Sequence, residues 1–422
     1  MSKKLLFSTE AYDSIYDGPR PNGSCAIWMI PEYGKPTIPH TLGDWNFFDE
    51  QGDIFSSEFL NIQSYPDNFQ FGKYEYKYHH ELEGRNHLYL IKVQNTAYFN
   101  KNKHIGFRYI SNHYIDDIKK GKAKIVVMLE TEGTSGTADY PDFETLESWR
   151  IKANLPEYSV IFVTGNYLAS RIAKEKNLKI KMIPFSDFET WNIQHTQDSI
   201  IPFEPTDDEF LFLSYNRMMR RSRSMILATY LKYGVFNKGK VSIGEYNYKT
   251  NDQYGIAPEY FAELSKLSPR SISDDLNYNL ASNINIEDHK KTFVSIVTET
   301  LTSSDTLFLS EKTWKPIQLG HPFMILGCPG TLDLLKQRGY KTFSKFWDES
   351  YDILDSDVER ADIIVKNIET LSKLTLQELK DLREKLEPIL EHNLSNFKKE
   401  LKENFYVNGN VKKLEKILRK LI

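Results

Sequence analysis

The stretch of sequence that decides the fold covers residues 293–327 and reads FVSIVTETLTSSDTLFLSEKTWKPIQLGHPFMILG. An apolar run over 292–300 predicts a buried strand, residues 311–320 predict a helix, and residues 322–327 predict another buried strand. Two short apolar strands joined through a helix are typical of a parallel sheet that helices cover.

The same alternation of strand and helix extends outward from this stretch in both directions. Towards the C-terminus it adds a helix at 331–339, and towards the N-terminus it adds a strand at 209–216, a helix at 225–234 and a strand at 240–246. Earlier in the chain we predict three more buried strands, at 124–130, 159–166 and 179–185. The helices between them are predicted at 142–155 and 167–177. The fold class is therefore α/β, with two parallel sheets in tandem and a C-terminal helical tail, and ligands are expected at the carboxyl ends of the strands, between the two sheets.

Punctuation in the sequence sets the predicted domain boundaries. Residues 200–209 contain two prolines and four acidic residues, which is typical of a linker. We place an N-terminal α/β domain at 1–200, the linker at 201–208, a second α/β domain at 209–356 and the helical tail at 357–422.

Two parts of the chain fit this pattern less well. Residues 1–90 are aromatic and turn-rich, and we predict irregular structure there except for a strand at 87–93 and a strand or hairpin within 65–81. In the tail, Pro388 argues against one continuous helix.

Composition excludes several classes of protein. The 422 residues carry 54 Lys and Arg against 58 Asp and Glu, so the net charge of −4 excludes a strongly basic nucleic-acid coat. The two cysteines, Cys25 and Cys328, exclude a disulfide scaffold and a cysteine-rich zinc site. No apolar run approaches the roughly 18 residues of a membrane span, and the N-terminus does not resemble a signal peptide. We expect a cytoplasmic protein of two or three domains.

An arginine-rich segment, SYNRMMRRSRS at 214–224, follows the predicted strand at 209–216. Arg217, Arg220 and Arg221 have the spacing that would place them on one face of a helix. A helix N-terminus offers free N–H groups and partial positive charge, and arginine forks suit phosphate oxygens. The segment therefore predicts a pyrophosphate-binding corner, and the alternative is a solvated basic face.

Polar residues between the two strands of 293–327 form the second candidate site. Glu299 ends the first strand, Ser310 can cap the next helix, and Glu311 and Lys312 occupy its first turn. A cation there opposes the helix dipole unless an anion lies nearby. An anionic ligand would explain Lys312, and Glu311 could grip the two hydroxyls of a ribose. The alternative is an ordinary helix cap with an exposed lysine.

The order of these residues resembles the donor site of GT-B glycosyltransferases, in particular the α-1,3-fucosyltransferase family (GT10-like) and more distantly exostosin-like enzymes. The resemblance covers about residues 209–355. It is carried by Asn216, Arg217, Arg223, Glu299, Asp305, Ser310, Glu311, Lys312, Gly320, Pro322 and Gly327.

This resemblance implies an enzyme that moves a sugar from a nucleotide-diphosphate sugar to an acceptor hydroxyl, with inversion and without a metal or other cofactor. Lys312 and Arg223 would bind the pyrophosphate of the donor, and Glu311 its ribose. The two α/β domains would be Rossmann-like and face each other across a cleft, as in the GT-B fold. The domain at 209–356 would bind the donor, and the domain at 1–200 the acceptor. The full set of expected donor-binding residues is Arg217, Arg221, Arg223, Glu299, Ser310, Glu311 and Lys312.

Inverting transfer also needs a catalytic base that deprotonates the acceptor hydroxyl. Glu130 and Glu132 come at the end of the predicted strand 124–130, ahead of a Gly/Ser/Thr loop, and are the first candidates. Asp187, after the strand at 179–185, is the alternative. The other interpretation is that one of these acids caps the following helix and the other is solvated.

The acceptor and the occurrence of turnover stay open at this point. The acceptor could be a glycan or, as for some phage enzymes, a hydroxylated base in DNA. A basic groove that could contact DNA phosphates would contain Lys101, Lys103, Arg108, Lys119, Lys120, Lys122 and Lys124. A non-catalytic nucleotide-sugar sensor is a further alternative. The acidic and aromatic segment at 346–360 could contact sugar or acceptor, or form a surface turn.

Overall fold

The computed structural model describes residues 5–9, 31–32, 35–36, 74–78, 85–92, 112–129, 143–185, 199–205, 210–248, 254–272, 284–406 and 409–421. The chain separates into two compact units. The first unit comprises Met1–Trp191 together with Leu401–Ile422, and the second comprises Asn192–Glu400. The boundaries expected at residues 200, 209 and 356 stay a prediction from the sequence.

The first unit contains a six-stranded parallel sheet in the order β4-β1-β5-β6-β7-β8. The elements in chain order are β1 (Leu5–Thr9), β2 (Pro31–Glu32), β3 (Lys35–Pro36), β4 (Tyr74–Tyr78), β5 (His87–Lys92), α1 (Asn112–Lys119), β6 (Ala123–Leu129), α2 (Phe143–Lys152), β7 (Val160–Thr164), α3 (Ala169–Glu175) and β8 (Lys181–Pro184). The short strands β2 and β3 form a separate antiparallel pair.

Burial on both faces explains why the central strands of this sheet are continuously apolar. Val126 and Val127 are neighbours in β6 and point to opposite faces, yet both are fully buried. The same holds for Ile161 and Phe162 in β7.

β1 differs from the prediction, because residues 5–9 were expected to be irregular. Its apolar run is too short to predict a strand, and hydrogen bonding to β4 and β5 holds these residues in an extended conformation.

The second unit contains a four-stranded parallel sheet in the order β10-β9-β11-β12. Its elements are β9 (Phe210–Ser214), α4 (Arg221–Lys232), β10 (Gly239–Val241), α5 (Pro258–Leu267), α6 (Ile286–Lys290), β11 (Thr292–Thr298), α7 (Glu311–Gln318), β12 (Phe323–Leu326), α8 (Thr331–Gln337), α9 (Asp357–Leu371) and α10 (Leu376–Glu400). A π-helical turn at Leu401–Tyr406 and helix α11 (Gly409–Arg419) follow, and both belong to the first unit.

Both sheets are parallel and accompanied by helices, which agrees with the predicted α/β class. In the second unit the chain runs from β9 to β10 on one side of β9 and later returns to β11 on its other side. The strand order therefore reverses between β9 and β11. In open α/β sheets, ligands bind outside the carboxyl ends of the strands at such a switch point.

A close backbone contact joins the segments that follow β9 and β10, on the other side of β9 from the switch point. The N–H of Gly244, which follows β10, donates to the carbonyl of Asn216 at 2.7 Å. A Cβ at Gly244 would lie 1.7 Å from the carbonyl oxygen of Arg217, so only glycine fits there. β10 ends at Val241 and is shorter than the predicted strand at 240–246.

Helix α10 corrects the expectation that Pro388 interrupts the tail, because the helix is continuous from Leu376 to Glu400. Pro388 lies on the exposed side, where water can reach the carbonyl group that a proline leaves unbonded. Leu386 and Leu390, two residues away on either side, are buried and hold the helix against the unit. In the described part of the chain, no helix has the length and apolar character needed to cross a membrane.

Candidate functional site

Glu299, the first residue after β11, organises the carboxyl edge of the sheet. Its side chain is fully buried and accepts three hydrogen bonds. Oε1 accepts from the backbone N–H of Ser310 at 3.2 Å and from Oγ1 of Thr313 at 2.7 Å, and Oε2 accepts from Oγ of Ser310 at 2.5 Å. These bonds hold the N-terminus of α7 against the end of β11. Both oxygens of the Glu299 carboxylate are therefore hydrogen-bonded to groups of the protein, and the residue has a structural role in the site.

A second helix N-terminus reaches the same point. Oγ of Ser222, in the first turn of α4, donates to the backbone carbonyl of Glu299 at 3.4 Å. The first turns of α4 and α7 thus meet at the end of β11. This point lies next to the gap between β9 and β11, where the strand order reverses. Each turn has backbone N–H groups without intrahelical partners and carries partial positive charge, so their convergence favours an anion.

Glu311 and Lys312 begin α7 and provide its charged groups. Ser310 accepts a hydrogen bond from the N–H of Lys312 at 3.3 Å, which confirms the predicted N-cap. Nζ of Lys312 donates to Oε1 of Glu311 at 2.9 Å, to Oγ of Ser310 at 3.2 Å and to Oγ1 of Thr300 at 3.5 Å. The lysine side chain keeps 23% of its surface exposed.

The second oxygen of the Glu311 carboxylate is the unusual atom of the site. The residue is only 6% exposed, and Oε2 is buried without a hydrogen-bond partner among the residues that the structure describes. Buried carboxylate oxygens are normally hydrogen-bonded, because leaving one unpaired costs about 1–3 kcal/mol or more. This oxygen is therefore a candidate acceptor for the hydroxyl of a ligand.

The arginine segment is arranged differently from the prediction. Helix α4 begins at Arg221, and Arg220 precedes it with extended backbone angles. Arg217 lies further upstream, outside the helix, so the predicted helical face of Arg217, Arg220 and Arg221 is wrong. Arg217 and Arg220 are both exposed at the carboxyl end of β9.

Asn216 explains why the helix starts late. Its side-chain amide donates to Oγ of Ser214 at 3.0 Å and to the carbonyls of Ser214 and Ser242 at 3.3 Å each. These bonds to the ends of β9 and β10 compete with helical hydrogen bonding and keep the backbone irregular after the strand.

Arg221 and Arg223, the other two arginines of the segment, have identified partners in the second unit. Arg221 forms a two-pronged ion pair with Asp357, the first residue of α9. Arg223 is 6% exposed, and its Nη1 donates to the carbonyl of Met218 at 2.6 Å. Arg223 thereby braces the irregular segment ahead of α4.

The candidate bases Glu130, Glu132 and Asp187 lie outside the described residues, as do Lys101, Lys103 and Arg108 of the expected basic groove. Four members of that groove are described. Lys119, Lys120 and Lys122 are exposed around the turn before β6, and Lys124 is the second residue of the strand. They are at the amino end of the sheet, opposite to the edge where α/β sheets bind ligands.

The acidic segment at 346–360 has a structural explanation. The carboxylate of Asp352 accepts from the N–H groups of Leu332 and Asp333 at 2.8 and 3.0 Å, which caps α8. Glu349 accepts from the hydroxyl of Thr342 and from the backbone N–H of Phe343.

Sequence reasoning missed the roles of Ser222 and Thr313 at Glu299, because a lone hydroxyl in a helix carries no signal of its partner.

No three His, Cys, Asp or Glu side chains lie close enough together to hold a metal ion within the described ranges. The expectation of a metal-independent reaction stays a prediction.

Comparisons with known proteins give a likeness among solved structures. No protein-family model matches the sequence, and no curated protein matches it significantly. Among solved structures, the chain is similar to a glycosyltransferase from Rickettsia africae ESF-5. The two share 10% sequence identity, with a TM-score of 0.42, over 100% of this chain and 99% of the other.

Proposed function

We propose that this protein is a glycosyltransferase that moves a sugar from a nucleotide-diphosphate sugar to an acceptor hydroxyl. The observation that carries the proposal is the meeting of the first turns of α4 and α7 at Glu299. The ammonium group of Lys312 lies at that point, as does the buried Oε2 of Glu311, which has no hydrogen-bond partner in the described part of the chain. An anion and a hydroxyl group on the same ligand would satisfy both.

A nucleoside diphosphate has this combination of groups. Its phosphate oxygens suit the N–H groups of two helix N-termini and the ammonium group of Lys312, and a ribose hydroxyl suits Oε2 of Glu311. In sugar transfer the nucleoside diphosphate leaves with the electrons of the glycosidic bond. Positive groups fixed in advance around the phosphates stabilise the charge that develops on the leaving group.

The finer parts of the proposal rest on the resemblance of residues 209–355 to the donor site of GT-B enzymes. We propose that transfer inverts the anomeric centre and needs no metal ion, since Lys312 and the helix N-termini neutralise the diphosphate. The acceptor-side domain of this proposal is the N-terminal one, which contains Glu130, Glu132 and Asp187 as candidate bases.

A panel of nucleotide-diphosphate sugars tests the proposal, with release of the nucleoside diphosphate as the measurement. We expect release from one donor class, and the same rate after EDTA treatment. Loss of activity in EDTA that manganese or magnesium restores would contradict the metal-independent step. Donor binding without any release, across a broad set of acceptor sugars and hydroxylated DNA, would identify a sensor and not an enzyme.

The catalytic base is tested by Glu130→Gln, Glu132→Gln and Asp187→Asn. A general base contributes about 10²–10⁴-fold to the rate, so the variant that removes it should lose transfer by that factor. Its affinity for the nucleoside diphosphate and its melting temperature should stay unchanged. A variant that instead loses about 1 kcal/mol of stability with normal turnover has lost a helix cap.

A further inference from the structure

Asp357 joins two elements that border the candidate site. Its Oδ1 accepts from Nη2 of Arg221 at 3.1 Å, and its Oδ2 accepts from Nε of Arg221 at 3.1 Å. Oδ2 also accepts from Oγ1 of Thr302 at 3.3 Å. Arg221 is the first residue of α4, and Thr302 lies in the segment between β11 and α7. One carboxylate therefore connects α4, α9 and the segment after β11.

Arg360, one turn further along α9, reinforces this connection. The residue is 1% exposed, and its Nη2 donates to the backbone carbonyl of Thr302. Its Nη1 donates to the carbonyls of Leu354 and Asp355 at 2.6 and 2.9 Å. Side chain and backbone of Thr302 are thus both held by the first turn of α9, only two residues from Thr300, which contacts Lys312.

The guanidinium group of Arg221 is held in one orientation. It forms both parallel bonds of an arginine–carboxylate fork with Asp357, and it lies 4.5 Å from the centre of the Tyr254 ring. A fork fixes the direction of both groups as well as their distance. Asp357 keeps 14% of its side chain exposed and Arg221 keeps 57%, so the carboxylate side of the pair is the sheltered one.

We propose that Asp357 is a positioning residue: through Arg221 and Thr302 it sets the arrangement of α4 and the β11–α7 segment that binds a nucleoside diphosphate. This inference rests on the proposed function, because it assigns the diphosphate to that site. It also assigns Arg221 to the connection with α9 and leaves Lys312 as the ammonium that contacts phosphate.

The sign of the effect separates positioning from electrostatics. Asp357 is an anion on the border of a site for an anion, so its removal would strengthen nucleotide binding if charge alone mattered. It would also free Arg221 to contact phosphate. Positioning predicts the opposite result, since binding groups that lose their arrangement lose affinity.

The experiment uses the full chain with Asp357→Asn, which keeps the size of the side chain and removes its charge. Isothermal titration with uridine, guanosine, adenosine and cytidine diphosphates gives the dissociation constants. We expect the best nucleotide to bind about tenfold more weakly than to the wild type, and the KM for the donor to rise more than kcat falls.

Asp362→Asn is the matched control. Asp362 lies on the same helix and also connects it to α4, through Nζ of Lys232 at 3.1 Å and Oη of Tyr233 at 2.6 Å. These contacts are at the C-terminal end of α4, away from the site. Both variants should lower the melting temperature, and only Asp357→Asn should weaken nucleotide binding.

Thr302→Val keeps the Arg221 fork and removes only the bond to the segment after β11, so the inference can be tested even if Asp357→Asn does not fold. We expect about threefold weaker nucleotide binding from the loss of one hydrogen bond. Binding that is unchanged or tighter in both variants overturns the inference and leaves the proposed function intact. A wild-type protein that binds none of the four nucleotides overturns both.

Discussion

Replacing Lys312 by alanine is expected to lower kcat/KM for the sugar donor by about 10–10²-fold. The change removes a charge-assisted hydrogen bond to the diphosphate, which is worth about 1.5–3 kcal/mol. Part of the loss should be in kcat, because the negative charge on the leaving group grows in the transition state. Steady-state kinetics with the donor, combined with titration of the nucleoside diphosphate, measure both parts.

Lys290→Ala is the matched control for this variant. Lys290 is also ion-paired, to Glu287 at 3.1 Å, and its exposed fraction of 27% is close to the 23% of Lys312. It lies on α6, just before the amino end of β11, and Lys312 lies on the helix that follows the carboxyl end. Donor kinetics equal to wild type for Lys312→Ala, or equally impaired in both variants, would contradict the assignment of Lys312 to the diphosphate.

Replacing Glu299 by alanine is expected to lower the free energy of unfolding of the second unit by about 3–5 kcal/mol. Each hydrogen bond to a buried charged acceptor contributes about 1.5–3 kcal/mol, and neighbouring bonds are not additive. The change also leaves the donors of Ser310 and Thr313 buried without an acceptor. Urea unfolding, monitored by tryptophan fluorescence, measures the loss.

Two variants bracket this result. Glu299→Gln keeps one acceptor oxygen and should lose less stability than the alanine variant. Glu369→Ala removes a solvent-exposed carboxylate that pairs with Lys373 at 3.1 Å, and such surface pairs contribute about 0–1 kcal/mol. A Glu299→Ala variant that is no less stable than Glu369→Ala would show that the three hydrogen bonds do not hold α7 in place.

The sequence predicted those elements whose own residues carry the pattern. The strands near 124–130 and 292–300 are present as β6 and β11, because a strand buried on both faces must be apolar throughout. The cap at Ser310 was predictable for the same reason, since a cap depends on residues next to it in the chain. β1 was missed, because it forms by pairing with strands that lie next to it in the sheet but far from it in the sequence.

The remainder of the candidate site depends on contacts between distant residues. Arg221 and Asp357 are 136 residues apart, so nothing near Arg221 indicates that an ion pair occupies its guanidinium group. The start of α4 depends in the same way on Asn216 and Ser242, which are 26 residues apart. Local patterns predicted residue types that suit an anion, and tertiary contacts decide which of these side chains are already bonded within the protein.

The division of the chain between the two units has a consequence for synthesis on the ribosome. The second unit is one continuous stretch, Asn192–Glu400, whereas the first unit combines Met1–Trp191 with Leu401–Ile422. All residues of the second unit are translated before the last segment of the first, although the first unit begins earlier. Domains generally fold as units during translation. The second unit can therefore fold before the first unit has received α11.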